Sequence, residues 1–376
     1  MSKYDDDFFE GKRPWSLIKD EILGSYIPAY INKVKGRGQP IVLIDGYAGP
    51  GVFNDGSQGS PMIICSAAEK FARGRYSAHF FNIEKKHHTK LESVIQHAGW
   101  SHSAYCYHGN SLKYIKQIPQ ILKDHTVFLY LDPFGLKGCE FDQLEPFLQR
   151  DPLYSTEIVL TICMPVLHRL ASFKAIKDGR QNDVVIQAYH QILTSTLGDD
   201  SWKAFMLQDF GAEYKERQFI TAYVQKIRNY MPFTGFCPVR DGNRIKYFIV
   251  FASRHPHAML LMNDIMVNAY FRALHKAEYT GTLFENFDWK DMPTTEDRGT
   301  LRLDHIILDL IAKHPGETRN EIWLKLIQER FMCFLHSEYL TVLKELQHAN
   351  KLQYPSDPVT KKHNGMCKLY PIAGNY

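Results

Sequence analysis

Ile41-Val42-Leu43-Ile44-Asp45-Gly46-Tyr47-Ala48-Gly49-Pro50-Gly51 is the stretch on which the reading of this chain turns. Four consecutive apolar residues, mostly β-branched, predict a strand buried on both faces. The glycines after it let the backbone turn tightly and leave room for a ligand at the carboxyl end of that strand. The glycine order is G-x-x-G-x-G, with Ala48 between the glycines. The dinucleotide fingerprint is G-x-G-x-x-G, so a nicotinamide dinucleotide is disfavoured and a nucleoside cofactor of the S-adenosylmethionine type is favoured. An ordinary strand-to-helix turn could carry the same glycines. Asp45, Gly46, Tyr47, Ala48, Gly49 and Gly51 are therefore the first candidate cofactor-binding residues.

Working outward, strand patterns recur between helical ones. Residues 14–34 carry Trp15, Ile18, Ile22, Leu23, Tyr26 and Tyr30 at helical spacing. Ser60-Pro61 predicts a helix start, with Ser60 as N-cap and Pro61 in the first turn. Strands are predicted at 78–83, 105–108, 127–131 and 157–162, with helices at 85–97 and 141–148. Residues 165–232 read as mostly helical. Strands at 235–239 and 245–251 flank an Asp241-Gly242-Asn243 hairpin turn, and a helix over 256–275 follows. Such alternation implies right-handed βαβ crossovers and a mainly parallel sheet.

Two further strand ends carry chemistry. Glu84 closes the second strand, where a carboxylate can accept hydrogen bonds from ribose hydroxyls; a surface pair with Lys85 or Lys86 is the competing reading. Asp132-Pro133-Phe134-Gly135 follows the fourth strand. There a carboxylate and a backbone carbonyl can hold an exocyclic amino group, and an aromatic ring can stack on a flat base. This run resembles the (Asp/Asn)-Pro-Pro-(Tyr/Phe) signature of amino-group methyltransferases. Its Asp-Pro-Phe-Gly form resembles that of the tRNA dimethylguanosine methyltransferases. Asp132, Pro133, Phe134 and Gly135 are the candidate catalytic residues. Asn110, after the third strand, could place its amide against an adenine edge.

Beyond a polar stretch at 281–299, three helices are predicted at 301–313, 317–330 and 337–349. Two short strands follow, around Leu352-Gln353-Tyr354 and Lys368–Ile372. That order is the winged-helix arrangement. The predicted domains are thus a Rossmann-like domain over 1–290, with a helical insertion at about 165–232, and a winged-helix domain over 299–376. Lys344, Lys351, Lys361, Lys362, His363 and Lys368 could meet phosphates, whereas Glu338 and Glu345 on the same module oppose it. Winged helices also bind proteins, so both partner classes stay open.

Taken together, the helix with Trp15 and Lys19, the Asp45–Gly51 turn, Asp132-Pro133-Phe134-Gly135, the Tyr247–Phe251 strand and the C-terminal module resemble the three-Cys-motif partner proteins. The resemblance covers nearly the whole chain. It implies an α/β, Rossmann-like class I methyltransferase fold with a C-terminal winged-helix domain, an S-adenosylmethionine pocket and methyl transfer. It also implies a radical-S-adenosylmethionine-like partner that carries the three cysteines. Such a protein could act on an amino nitrogen of a nucleic-acid base, serve as a catalytically weak adaptor of that partner, or regulate DNA through the winged helix.

Composition narrows the rest. The 376 residues are 44% hydrophobic with a net charge of +4, enough for more than one core. The mild basic balance permits a nucleic-acid partner without requiring one. Seven scattered cysteines, with no C-x-x-C pair, suggest neither a disulfide framework nor a zinc site, and so a reducing, cytoplasmic setting. No trusted metal-ligand spacing emerges from the histidines. No apolar run approaches the roughly 18–20 residues that span a bilayer, so no membrane role is expected.

Overall fold

The computed structural model describes residues 14–109, 117–180, 182–241, 244–282, 301–356 and 362–372. Contacts divide the chain into two units, Met1–His255 and Pro256–Tyr376.

The first unit is built on a seven-stranded sheet in the order β3-β2-β1-β4-β5-β7-β6. The strands are β1 (Ile41–Asp45), β2 (Tyr76–Asn82), β3 (Ala104–His108), β4 (Thr126–Leu131), β5 (Thr156–Cys163), β6 (Phe233–Asp241) and β7 (Arg244–Ser253). The first five pair parallel, and β7 pairs antiparallel to both β5 and β6. The first five positions reproduce the doubly wound, Rossmann-like order. The connecting helices are α1 (Pro14–Val34), α2 (Ser60–Ala72), α3 (Lys85–His97), the single turn α4 (Ile118–Ile121) and α5 (Phe141–Leu148). After β5 come α6 (Met164–Ala171), α7 (Phe173–Lys177), α8 (Val184–Leu197), α9 (Lys203–Met206) and α10 (Ala212–Arg228). The helical stretch expected at about 165–232 is present as α6–α10.

Strand alternation divides this core into two layers. Val42, Ile44, Val127, Leu129, Ile158, Leu160 and Val250 join the cluster that also holds Leu144, Leu167, Leu193 and Tyr223 of the helices. On the other face lies α1, which buries Ile18, Ile22, Leu23, Tyr26, Ile27, Tyr30, Ile31 and Val34 at helical spacing. The Tyr26 and Tyr30 rings stand 6.0 and 5.4 Å from Phe128, and Tyr26 meets Phe251 edge-on at 5.4 Å. Covering on both faces explains why every residue of β1 and β4 is buried. The Tyr26 hydroxyl donates to Glu157 Oε2 at 2.5 Å, fastening α1 to β5.

One local expectation is corrected. Gly59, not Ser60, stands at the N-cap of α2. The Ser60 hydroxyl is drawn to a stronger acceptor, the Asp45 carboxylate.

The second unit contains α11 (Pro256–Tyr279), α12 (Leu303–Lys313), α13 (Arg319–Glu329), α14 (His336–His348) and an antiparallel ribbon of β8 (Leu352–Gln353) and β9 (Tyr370–Pro371). A reciprocal capping box between Thr318 and Glu321 starts α13. Helix α11 groups with this unit, not with the sheet. Its fully buried Asn263 accepts from Met332 N–H and donates to the Phe334 carbonyl, both at 2.8 Å. The break therefore falls at 255/256, ahead of the polar stretch at 281–299 where sequence placed it. Most of that stretch, and Gly242-Asn243 of the hairpin turn, lie outside the described residues. No helix among the described residues is long and apolar enough to cross a membrane.

Candidate functional site

In an open α/β sheet the crevice lies where strand order reverses, at the carboxyl ends of the strands. Here that point is between β1 and β4, which register Asp45 opposite Tyr130. The glycine turn leaves β1 and the Asp132 loop leaves β4, so the two motifs lie side by side. Gly46 N–H donates to the Tyr130 carbonyl at 3.0 Å.

The turn is held from inside. Asp45 is fully buried; its Oδ1 accepts from Tyr47 N–H at 3.0 Å and its Oδ2 from Ser60 Oγ at 2.7 Å. Sequence placed Asp45 among the cofactor ligands. In this geometry both of its oxygens shape the turn. Burial pushes its pKa up to about 7; the Ser60 and Tyr47 hydrogen bonds oppose that, and the Asp132 charge adds to it. Ala48 N–H donates to the Phe81 carbonyl at 2.9 Å. Gly51 has φ 80°, and a Cβ there would stand 2.7 Å from Leu91 Cδ1. The positive φ demands glycine here, and a Cβ would in addition require the Leu91 methyl to move aside.

Asn82, which sequence did not single out, clamps the turn from the end of β2. It is 1% exposed, and its amide nitrogen donates to the Ala48 carbonyl and, at 3.0 Å, to that of Gly49. Its Oδ1 is buried and has no hydrogen-bond partner among the described residues. Glu84 stands exposed two residues beyond β2, at the N-cap of α3, and makes no side-chain cap bond. Among the described residues it forms no ion pair with Lys85 or Lys86. Asn110 lies outside the described residues; Gly109 before it donates its N–H to the Asn82 carbonyl at 2.8 Å.

The Asp132 loop is more heavily tied than its motif implies. Lys19 Nζ of α1 lies 2.5 Å from Asp132 Oδ2, and the Tyr130 hydroxyl donates to the same oxygen at 3.3 Å. Thr161 Oγ1 of β5 donates to Oδ1 at 2.5 Å. Lys19 also lies 5.1 Å from the centre of the Tyr247 ring, within cation–π range. Burial and the Asp132 charge push the Tyr130 hydroxyl well above its ordinary pKa, so it stays a donor. Pro133 is buried, whereas Phe134 is 71% exposed. Gly135 faces Val166 of α6, 3.9 Å from where its Cβ would sit. The two loops are joined again by Tyr47, whose hydroxyl donates to the Lys137 carbonyl at 3.2 Å. A Cβ on Gly138 would stand 1.7 Å from that hydroxyl oxygen. Cys139 is wholly buried, its thiol donates to the Thr161 carbonyl, and burial raises its pKa. It is a structural thiol.

Sequence therefore named both loops and left out what fastens them. Lys19 entered only through the family resemblance. Thr161 was visible as a polar residue inside an apolar strand, and Asn82 as an amide before Glu84. Gly138 and Tyr130 carried no signal that sequence could have used. Among the described residues no cluster of three His, Cys, Asp or Glu side chains could hold a metal ion.

No family model matches the chain, and no curated protein sequence matches it. Solved structures with partial likeness include an O-methyltransferase from Bacillus cereus in complex with SAH, 14% identical, covering 67% of this chain and 96% of that one with a TM-score of 0.30. A methyltransferase from Geobacter sulfurreducens is 9% identical over 60% of this chain and 77% of that one, with a TM-score of 0.29. The candidate methyltransferase yhhF from Escherichia coli is 13% identical over 36% of this chain, with a TM-score of 0.24; this chain spans 65% of its length.

Proposed function

We propose that the first unit is an S-adenosylmethionine-dependent methyltransferase whose acceptor is an amino nitrogen, with a nucleic-acid base as the favoured acceptor. The observation that carries the reading is the adjacency of the Asp45–Gly51 turn and the Asp132 loop at the strand-order reversal. The residues fit the cofactor. Glu84 offers an exposed carboxylate for ribose hydroxyls, Gly51 keeps side-chain bulk out of the turn, and the orphaned Asn82 Oδ1 would be satisfied by a ligand N–H. When bound, S-adenosylmethionine supplies an electrophilic methyl group on a sulfonium. The chain contributes position: Asp132 and the Pro133 carbonyl orient the acceptor amine, and the exposed Phe134 stacks on a planar ring.

One observation favours a second reading, a cofactor-binding adaptor for a three-cysteine radical-enzyme partner. Both Asp132 oxygens are already engaged, by Lys19, Tyr130 and Thr161, so an acceptor amine must share or displace them. In either reading we take the second unit as a winged helix. Its exposed Lys344, Lys351, Lys362, His363 and Lys368 suit a nucleic-acid backbone; Lys361 lies outside the described residues. Glu338, counted against nucleic acid, accepts from the Leu335 N–H at 2.6 Å at the start of α14.

Calorimetry with S-adenosylmethionine tests the pocket: the wild type binds, and Glu84→Ala binds about ten-fold more weakly, the loss of one or two hydrogen bonds to a charged group. Failure of the wild type to bind overturns both readings. Transfer of a radiolabelled methyl group to RNA or DNA, abolished by Asp132→Ala, selects the enzyme. Binding without transfer to either acceptor selects the adaptor.

A further inference from the structure

The helical segment after β5 holds a second feature, separate from the strand-order reversal. A cavity of about 550 Å³ is lined by His168 of α6, by Ser172, Phe173, Lys174 and Arg180 in and around α7, and by Lys215 of α10. Asp178 is the one carboxylate in its lining.

Lys215 is the residue that needs explaining. It is 5% exposed, yet among the described residues it has no carboxylate within ion-pair distance. Its ammonium donates to the Met206 carbonyl at 3.1 Å and lies 3.8 Å from the centre of the Phe173 ring. An ammonium has three donors, so one carbonyl and one ring face leave it under-satisfied. A buried cation in that state is costly unless paired. Of the nearby carboxylates, Asp209 is held by Lys177 at 2.9 Å and Glu216 by His168 at 2.7 Å, whereas Asp178 stays in the lining and opposes an anion. Lys177, paired with Asp209, also stacks on Phe173 at 4.8 Å. Burial lowers the Lys215 pKa; the Asp209 charge opposes that and the Lys177 charge adds to it.

We infer that this cavity is an anion-binding site for a phosphoryl group, with Lys215 as its buried anchor and Arg180 and Lys174 as its outer donors. A phosphoryl oxyanion offers several acceptors to the Lys215 ammonium and to the outer Lys174 and Arg180. Arg180 is 62% exposed in its side chain, so it can be exchanged without disturbing the core; it pairs with Asp183 at 2.8 Å, so a phosphoryl group would share it with that carboxylate. The site does not depend on methyl transfer. The phosphoryl group could belong to a free phosphate monoester or to a phosphodiester backbone.

The test is isothermal calorimetry on the full chain at constant ionic strength, with inorganic phosphate and, separately, a single-stranded oligonucleotide lacking terminal phosphates. Phosphate should bind the wild type. Lys215→Met should weaken it by roughly ten-fold or more, and Arg180→Gln by several-fold, the loss of charge-assisted hydrogen bonds. Binding of phosphate with both effects supports the site and a monoester source. Binding of the oligonucleotide alone, weakened by both variants, supports the site and a backbone source. If neither probe binds, or if Arg180→Gln with an unchanged unfolding transition binds as the wild type does, the inference fails. Because Arg180 is exposed, that variant keeps the test decisive even if Lys215→Met folds poorly.

Discussion

Asp45→Asn is the perturbation whose outcome follows most directly from the site. The Asp45 carboxyl is fully buried and its folded pKa is about 7, against an ordinary value of 3.8. Near pH 3 both folded and unfolded chains carry the proton, and the group contributes no difference. Between pH 4 and pH 7 the unfolded chain ionises while the folded chain retains the proton. Unfolding then releases a proton, so stability falls as pH rises, and the full cost is present above pH 7. Three pH units correspond to about 4 kcal/mol at 1.36 kcal/mol each. Asparagine keeps the geometry: its oxygen can still accept from Tyr47 N–H, and its NH₂ can donate to Ser60 Oγ, which reverses role. Asp45→Asn should therefore raise stability at pH 8.5 by up to about 4 kcal/mol and at pH 4.5 by only about 1 kcal/mol. Urea unfolding at the two pH values measures this. A stabilisation equal at both pH values, or a loss at pH 8.5, would refute the premise that burying this charge destabilises the fold. If cofactor affinity drops while stability rises, the carboxylate is retained for function at a cost to the fold.

Other perturbations reach the same region and the core. Lys19→Met leaves the part-buried Asp132 without its cation; we expect a stability loss of about 1–3 kcal/mol and a lower methyl-transfer kcat with S-adenosylmethionine affinity nearly unchanged, read by steady-state kinetics and calorimetry. An affinity loss with unchanged kcat would place Lys19 in the cofactor pocket instead. Gly138→Ala puts a Cβ into the Tyr47 ring at φ 103° and should cost about 2–4 kcal/mol; adding Tyr47→Ala should recover part of this in thermal melts. No recovery would assign the loss to backbone strain alone. Tyr26→Phe removes the donor to Glu157, a buried carboxyl raised by burial to about 7. The destabilisation should be about 1–3 kcal/mol at pH 8.5 and smaller near pH 5, where Glu157 is protonated. A pH-independent loss would contradict the ionised form as the acceptor.

Much of the fold was legible because its signals are local. The apolar runs 41–44, 127–131 and 157–162 become strands because a sheet covered on both faces needs uninterrupted apolar residues. The three C-terminal helices lie within a few residues of their predicted bounds. Expectations fail where a distant residue intervenes. Ser60 satisfies every rule for an N-cap, yet Asp45, fifteen residues earlier, takes its hydroxyl. Helix α11 reads as amphipathic wherever it is placed; Asn263, bonded to residues about seventy positions later, attaches it to the second unit.

The sequence by itself determined the strand order's raw material and the two loops at its reversal, since glycine spacing, Asp-Pro turns and hydrophobic period are properties of neighbours along the chain. Only the tertiary structure decided what those loops are fastened to. Lys19, Asn82, Tyr130, Thr161 and Gly138 are brought to them by helix packing and strand register, and no short-range pattern encodes a pairing across 113 positions such as Lys19 with Asp132. The same holds for Lys215: its side chain is ordinary in sequence and becomes a buried cation only when α10 packs against Phe173.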